Sequence, residues 1–301
     1  MSDQASRLRE LAAAYRNQAA SGAPSRRFRA IAITSGKGGV GKTNLAINLA
    51  QALVQANHQV LVMDVDLGLA NADILLGTVP PYHLGHFLRG QVDLPQVICR
   101  TPGGLKLIAG GSGVEELANL SAAQLQPVFR SLERLEGEAE YLILDTGAGL
   151  GDAVMEFVAA ADEVLVVTTP EPTAMADAYT MIKALHHRHP RAQIGLVINQ
   201  VERPDDAAMV ADRIVTTARD FLGAEVRHLG SIPRDPQVWQ AVRQKVPYLL
   251  AFPNAPASRA VQKLATRLVE GAAAGPPASP RGGNSFFGRL AGLFTRRNDN
   301  V

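Results

Sequence analysis

The sequence predicts an α/β protein with a doubly wound, mainly parallel sheet. Short apolar runs rich in Val and Ile alternate with segments whose apolar residues recur at helical spacing, the order that parallel strands with crossover helices produce. A glycine-rich stretch joins the first such run to the first such segment. With 301 residues, of which 47% are hydrophobic, the chain can bury one large core. We therefore expect a single folded domain over residues 29–270.

The individual strands follow from their apolar runs, in order along the chain. Residues 29–35 (RAIAITS) predict a buried first strand, and NLAINLAQALVQA, after Thr43, has the spacing of a helix. The second strand, QVLVMDVD, ends at Asp66. The later strands are predicted at 141–146, 163–169, 193–200 and 226–232, with helices near 173–187 and 205–222.

Four segments lie outside this domain. Residues 1–18 place their leucines on one face of a predicted helix, and residues 19–28, which contain Gly and Pro, predict a linker. Residues 271–283 (GAAAGPPASPRGG) have a composition that cannot pack a core, so we expect a disordered linker there. The chain then ends in one more helical segment.

That C-terminal segment, residues 284–298, predicts a short basic amphipathic helix. Its large apolar residues fall within an arc of about 120° at helical spacing; they are Phe286, Phe287, Leu290, Leu293 and Phe294. A basic amphipathic helix behind a linker indicates an anchor that lies in the surface of an anionic membrane. The alternative is that the tail folds back onto an apolar groove of its own protein.

Charge and cysteine usage exclude several classes. Residues 1–30 carry six arginines and two acids, and residues 281–301 carry four arginines and one acid, although the whole chain has a net charge of only +2. The body between them is therefore acidic, which disfavours direct nucleic-acid binding. The single cysteine, Cys99, excludes a disulfide framework. Without a signal peptide or a spanning apolar run, we expect a cytoplasmic protein.

Residues 36–43 (GKGGVGKT) match a phosphate-binding loop and predict nucleotide binding. In such a loop Lys42 reaches the β and γ phosphates, and Thr43 binds Mg²⁺. Glycines let backbone N–H groups close around the anion; the expected phosphate contacts are Gly36, Lys37, Gly38, Gly39, Val40, Gly41, Lys42 and Thr43. Lys37 is surplus to this chemistry.

Acidic residues end two predicted strands. Asp64 and Asp66 lie in MDVDLGLANADILLG, and Asp145 ends the apolar run of LILDTGAG. Ligands collect at the carboxyl ends of strands in open α/β sheets. Neighbouring carboxylates can remain ionised there when a cation supplies the compensating charge. These residues therefore predict an acidic, Mg²⁺-binding edge beside the phosphate loop.

Together these motifs resemble the deviant Walker A ATPases of the MinD/ParA group over residues 30–270. The resemblance implies that Lys37 reaches the nucleotide of the other subunit in an ATP-bound homodimer, and that Asp66 orients the attacking water. It also implies that Asp64 and Asp145 act near Mg²⁺ through water. Gly147 departs from MinD itself, which usually has proline there, and this favours a relative of MinD.

The same resemblance implies an adenine site. Asn199, at the end of QIGLVIN, matches the asparagine that reads the adenine edge in this family. The segment GSIPRDPQV matches the one that closes over the base, with Pro233 and Asp235 as the candidate contacts. A turn-forming role for a strand-end Asn is the alternative.

The N-terminal segment DQASRLREL resembles the DQAxxLR motif of the flagellum-number regulators FlhG, FleN and YlxH. That resemblance implies a slow, dimer-dependent regulatory ATPase that attaches reversibly to the inner face of the cell membrane. The implied protein partners are the GTPase FlhF, activated through Gln4, a flagellar transcription regulator and basal-body C-ring proteins. Alternatives are a MinD-type division-site ATPase, a ParA-type partition ATPase and an ATP-dependent small-molecule synthetase of the same fold.

Overall fold

The computed structural model describes residues 28–66, 71–111, 128–190, 192–274 and 285–298. The predicted N-terminal helix (1–18) with Gln4, nearly all of the linker 19–28 and residues 275–284 therefore lie outside the described residues.

Eight strands form one sheet within the described part of the chain, in the order β3-β4-β2-β5-β1-β6-β7-β8. Every neighbouring pair is parallel except β3 and β4, which are antiparallel at one edge. The strands are β1 (Arg29–Ser35), β2 (Val60–Val65), β3 (Ile98–Arg100), β4 (Lys106–Ile108), β5 (Tyr141–Ala148), β6 (Glu163–Thr168), β7 (Gln193–Val201) and β8 (Val226–Pro233). The predicted fold class is confirmed.

Helices cover both faces of the sheet. One layer consists of α1 (Lys42–Gln55), α7 (Pro236–Gln244), α8 (Tyr248–Ala251) and α9 (Pro256–Ala274). The opposite layer consists of α4 (Asp152–Ala160), α5 (Pro172–Arg188), α6 (Pro204–Leu222) and α10 (Phe286–Asn298). Two short helices follow β2, namely α2 (Ala72–Leu75) and α3 (Leu84–Leu88), and single 3₁₀ turns span Leu94–Val97 and Glu133–Gly137.

The two layers explain why the strands read as continuous apolar runs. Every residue of β2 and β6 is buried, and in β1 only Arg29 is partly exposed. A strand covered on both faces has no solvent side, so its polar residues are confined to its ends. The antiparallel pair β3 and β4 has three residues per strand. Runs this short give no periodic signal, and the sequence did not predict them.

Helix α9 corrects one predicted boundary. It continues through Ala274, so residues 271–274 are helical and not part of a linker. The sequence there is Gly271 followed by three alanines. Alanine has the highest helix propensity, so a helix already packed on the sheet extends through such residues at little cost.

The C-terminal helix α10 folds back onto the protein. Four of its predicted membrane residues (Phe286, Phe287, Leu290 and Phe294) are at most 2% exposed, and Leu293 is partly buried. The Phe287 ring packs edge-on against Phe28 at 5.9 Å between centroids, and Phe294 packs against Phe129 at 5.9 Å. The fold-back alternative is therefore the arrangement in this structure, and membrane binding by these residues stays a prediction.

The Arg289 side chain joins α10 to the residues just before β6 through polar contacts. Arg289 Nε donates to the Ala160 carbonyl at 2.9 Å, and its Nη2 donates to Asp162 Oδ1 at 2.7 Å. The other oxygen of Asp162 accepts the backbone N–H of Ala30 at 2.8 Å. Helical periodicity predicts an apolar face but does not determine whether protein or lipid covers that face.

None of the described helices has the length and hydropathy needed to cross a bilayer.

Candidate nucleotide-binding site

The glycine-rich loop connects β1 to α1 at the carboxyl edge of the sheet. Gly41 occupies the N-cap position of α1 with φ 92°, and no side chain caps the helix. The first N–H groups of α1 are therefore left for an anion, and the helix dipole favours one there. Gly36 is required for another reason, since a Cβ atom at this position would lie 2.2 Å from the Asp177 carbonyl oxygen of α5.

Lys42 points into the site from the start of α1. Its side chain is buried, and its Nζ donates to Ser35 Oγ at 3.0 Å. Burial lowers the pKa of Lys42, while the charges of Asp145 and Asp66 act in the opposite direction. An ammonium group that is partly desolvated binds an added phosphate strongly, because few water molecules compete with it. Ser35, which also donates to the Lys37 carbonyl at 2.6 Å, was not predicted.

Lys37 turns away from Lys42. Its Nζ donates to Glu171 Oε1 at 2.7 Å and to Thr173 Oγ1 at 2.8 Å. The hydrogen bond from Lys37, followed by that from Thr173, lowers the pKa of Glu171. Both side chains of the ion pair are more than a third exposed. Lys37 thus lies at the rim of the site.

The strand order explains why these residues are the partners of Lys37. Glu171 and Thr173 directly follow β6, and β6 lies beside β1 in the sheet. The carboxyl ends of neighbouring parallel strands lie side by side, so polar residues after β6 are placed next to the loop after β1.

Asp64 and Asp145 occupy the buried floor of the site, each 1% exposed. They lie on adjacent strands and are direct partners in the register of β2 and β5. Burial raises the pKa of Asp145 to about 8, the charge of Asp64 adds to this rise, and a hydrogen bond from Thr43 opposes it. Burial also raises the pKa of Asp64 to about 6, against the hydrogen bonds from the backbone N–H groups of Asp66, Ala72 and Asn71.

This acidic floor fits a divalent cation. Asp145 Oδ1 is buried and has no hydrogen-bond partner within the described structure, and a buried acceptor left unpaired is costly. Two carboxylates and the Thr43 hydroxyl form the oxygen-only donor set that Mg²⁺ prefers. The structure therefore brings the three predicted metal residues together, and direct or water-mediated ligation by them remains a prediction.

Asp66 lies at the edge of this floor beside the last residues of β5. A Cβ atom at Gly147 would lie 3.0 Å from Asp66 Oδ1, so glycine at this position leaves room for the carboxylate. Thr146, the residue before it, is buried and donates to the Ile33 carbonyl at 3.0 Å, which ties this end of β5 to β1. The arrangement puts Asp66 on the open side of the site, where a carboxylate can accept a proton or orient a water molecule.

The predicted adenine residues make other contacts in this structure. Asn199 Nδ2 donates to the Val40 carbonyl at 2.8 Å, so its amide is turned towards the phosphate loop. Asp235 caps α7 by accepting from the Gln237 backbone N–H at 2.9 Å, and its second oxygen accepts from the Ala257 N–H at 3.2 Å. Pro233 pairs with Val201 at the end of β8. Adenine contacts from Asn199, Pro233 and Asp235 remain predictions.

A buried lysine, a glycine loop at a helix N-terminus and an acidic floor thus meet at one edge of the sheet. The family model described as CobQ/CobB/MinD/ParA nucleotide binding domain matches residues 31–248. The chain belongs to this family. Within the MinD/ParA family it is similar to the antiactivator FleN of Pseudomonas aeruginosa, which is 36% identical over 257 residues, covering 85% of this chain and 91% of FleN.

Two further MinD/ParA proteins extend this comparison. The flagellum site-determining protein YlxH of Helicobacter pylori is also 36% identical, covering 86% of this chain and 88% of YlxH. The solved structure of the septum site-determining protein MinD from Pyrococcus horikoshii superimposes with a TM-score of 0.67 at 26% identity, covering 81% of this chain and 97% of that chain. That MinD was solved in complex with Mg-ADP. The predicted resemblance to the MinD/ParA group, and to FlhG (FleN, YlxH) within it, is confirmed.

Proposed function

We propose that this protein is an ATP-dependent, dimerising and membrane-associating regulatory ATPase that controls the number and placement of bacterial flagella. The observation that carries the proposal is the position of Lys37. Its ammonium group is held at the rim by Glu171 and Thr173, while Lys42 points into the buried site. A cation in that place is available to a nucleotide bound by a second subunit.

The same geometry supports a proposal for hydrolysis. Phosphoryl transfer depends on positioning and charge stabilisation more than on covalent chemistry. Lys42 and the N–H groups at the start of α1 neutralise the phosphates within one subunit, and Lys37 adds its charge from the other. Thr43, Asp64 and Asp145 would hold Mg²⁺, which would supply further neutralisation of phosphate charge. Asp66 orients the water, and the site is complete only in the dimer, so hydrolysis is slow and regulatory.

The ion pair of Lys37 with Glu171 must break before Lys37 can contact the nucleotide of a second subunit. In the monomer Lys37 is paired with Glu171. In the dimer the partner of Lys37 becomes the triphosphate bound by the other subunit. Exposed ion pairs contribute little net stability, whereas a triphosphate presents more negative charge and several acceptor oxygens. The exchange therefore favours the dimer when ATP is bound and the monomer when it is not.

The docked helix α10 supports a membrane role that depends on state. Its apolar face is buried in the protein, so a membrane can bind it only after it undocks. Once free, the helix offers the same apolar residues and Arg289 to an anionic bilayer, where one short amphipathic helix binds weakly. A dimer presents two such helices together and gains avidity without any new contact. The protein is then cytoplasmic as a monomer and reversibly peripheral as a dimer.

The flagellar assignment is supported by FleN and YlxH, which are similar to this chain over most of their lengths, and by the motif DQASRLREL. We infer that the N-terminal helix stimulates GTP hydrolysis by FlhF through Gln4. A flagellar transcription regulator and C-ring proteins of the basal body complete the proposed set of partners.

The test is the stimulation of FlhF by the full-length protein. We expect the wild type to accelerate GTP hydrolysis by FlhF, Gln4→Ala to lose that effect, and Gln18→Ala, a matched change at the far end of the same segment, to keep it. No stimulation by the wild type, or equal stimulation by both variants, would contradict the flagellar assignment. ATP binding and dimerisation, measured on the same samples, show whether the ATPase part of the proposal stands independently.

A MinD-type division-site ATPase is the second candidate, and the structural similarity to MinD favours it. It requires capture by a MinE-like activator and no effect on FlhF. A small-molecule synthetase of the same fold would turn over ATP with a small acid and without a protein partner.

A further inference from the structure

We propose that Gln200, acting together with Asn199, is a positioning residue that holds the phosphate-binding loop in the shape that receives a nucleotide. The inference rests on nucleotide binding at residues 36–43, and it does not depend on dimerisation, membrane binding or a flagellar role. Both residues lie at the carboxyl end of β7, beside the outer side of the loop.

Two carboxamide groups grip consecutive carbonyl oxygens of the loop. Asn199 Nδ2 donates to the Val40 carbonyl at 2.8 Å, and Gln200 Nε2 donates to the Gly39 carbonyl at 3.3 Å. The Asn199 Oδ1 accepts the backbone N–H of Gln200 at 2.9 Å. This last bond orients the Asn199 amide so that its NH₂ group faces the loop. The loop also approaches closely, since a Cβ atom at Gly41 would lie 2.4 Å from Asn199 Nδ2.

Fixing these carbonyl groups also fixes two N–H groups. The described peptide bonds are all trans, and in a trans peptide the C=O and N–H groups point in opposite directions. The Gly39 carbonyl shares its peptide plane with the Val40 N–H, and the Val40 carbonyl shares its plane with the Gly41 N–H. Both N–H groups therefore point away from β7. No described residue accepts a hydrogen bond from either of them, so they are free to bind an anion.

The backbone of β7 is distorted where Asn199 and Gln200 make these hydrogen bonds. Gln200 has φ 57°, a left-handed conformation that residues other than glycine rarely adopt. Ile198 pairs with Ser231 and Val201 pairs with Pro233, so two residues of β7 face one residue of β8 in a bulge. Bulges and strained backbone concentrate at functional sites.

The distortion has a geometric purpose. Successive side chains of a regular strand point to opposite faces of the sheet, so two neighbouring carboxamides could not both reach the loop. The bulge and the left-handed Gln200 bring both to the same side. The strain is thus coupled to the contact, which is why we assign Gln200 a positioning role and not that of an incidental surface residue.

The experiment compares four full-length variants. Gln200→Ala removes the carboxamide, Gln200→Glu keeps the length but replaces the donor by an acceptor, and Gln200→Gly removes the carboxamide while relieving the strain. Gln193→Ala changes an exposed glutamine at the other end of the same strand and serves as the control. The measurements are the Kd of a fluorescent ADP, the KM and kcat of ATP hydrolysis, the Tm, and backbone ¹⁵N relaxation of residues 38–41 without nucleotide.

We expect all three Gln200 variants to bind ADP about three- to tenfold more weakly, the effect of one lost hydrogen bond. The KM for ATP should rise with kcat unchanged, and the relaxation data should show a more mobile loop. Gln200→Gly should also raise the Tm, because glycine tolerates the left-handed backbone. Weaker binding together with higher stability separates positioning from a merely structural role.

The proposal is overturned if the Gln200 variants bind ADP as tightly as Gln193→Ala, or if binding weakens while the loop keeps its wild-type relaxation. A wild-type protein that binds no nucleotide would refute the proposed function instead. The relaxation comparison would still decide whether Gln200 holds the loop, so the two failures can be told apart.

Discussion

Asp162→Asn tests whether the docked position of α10 controls membrane binding. The substitution removes the charge that pairs with Arg289 Nη2 at 2.7 Å. It keeps an oxygen able to accept the Ala30 N–H, so the hydrogen bond to the start of β1 is preserved. Arg289 also keeps its bond to the Ala160 carbonyl. The change is therefore confined to the contact between α10 and the domain.

The magnitude follows from the burial of the pair. The side chains of Arg289 and Asp162 are 14% and 19% exposed, so solvent screens their contact less than it screens a surface pair. A hydrogen bond to a charged group contributes about 1.5–3 kcal/mol, equivalent to about a 10- to 150-fold rise in the undocked fraction. The four buried apolar side chains of α10 contribute about 6–12 kcal/mol gross. The helix therefore remains mostly docked, and only its minor undocked population grows.

Vesicle sedimentation without ATP measures that population. If only the undocked helix binds anionic vesicles, the apparent affinity of the protein for vesicles rises in proportion to the undocked fraction. Asp162→Asn should therefore bind vesicles at least about tenfold more tightly than wild type. Asp152→Asn is the control, because it makes the same charge change at an exposed ion pair with Arg188. Deletion of residues 285–301 should abolish binding in both backgrounds. Equal binding by the two Asn variants would refute the reasoning.

Four further predictions concern the site. Lys37→Ala should bind ATP but remain monomeric in light scattering, since Lys42 and the loop are intact; an ATP dimer of this variant would exclude the trans role. Glu171→Gln should dimerise at lower protein concentration, because it removes the charge that holds Lys37 in the monomer, and an unchanged dimer constant would contradict this. Asp66→Ala should lower kcat on the order of 100-fold and prolong the ATP-bound dimer on vesicles, whereas wild-type turnover would assign the water to another group. Burial raises the folded-state pKa of Asp145 to about 8, so the Mg²⁺-free protein holds a proton that the unfolded chain releases; its Tm should fall as pH rises from about 5 to about 8, and less steeply in Asp145→Asn.

Local chemistry made much of this protein predictable from the sequence. The loop at residues 36–43 needs its glycines, its Lys42 and its Thr43 whatever surrounds it, and its match is therefore visible in the sequence alone. Strands buried on both faces must be continuously apolar, so β1, β2 and β5 to β7 were recognisable, as was the meeting of Asp64 and Asp145 at one edge.

Contacts between distant segments could not be predicted in this way. Glu171 contacts Lys37, and Gln200 contacts the phosphate-binding loop, although each pair is more than 130 positions apart along the chain. No local sequence pattern determines which strands are neighbours in the sheet. The same holds for α10. Its sequence determined an amphipathic helix with a basic flank, but lipid and an apolar protein groove satisfy that face equally well. Only the packing of Phe287 and Phe294 on the domain, with Arg289 on Asp162, decided that the helix is docked.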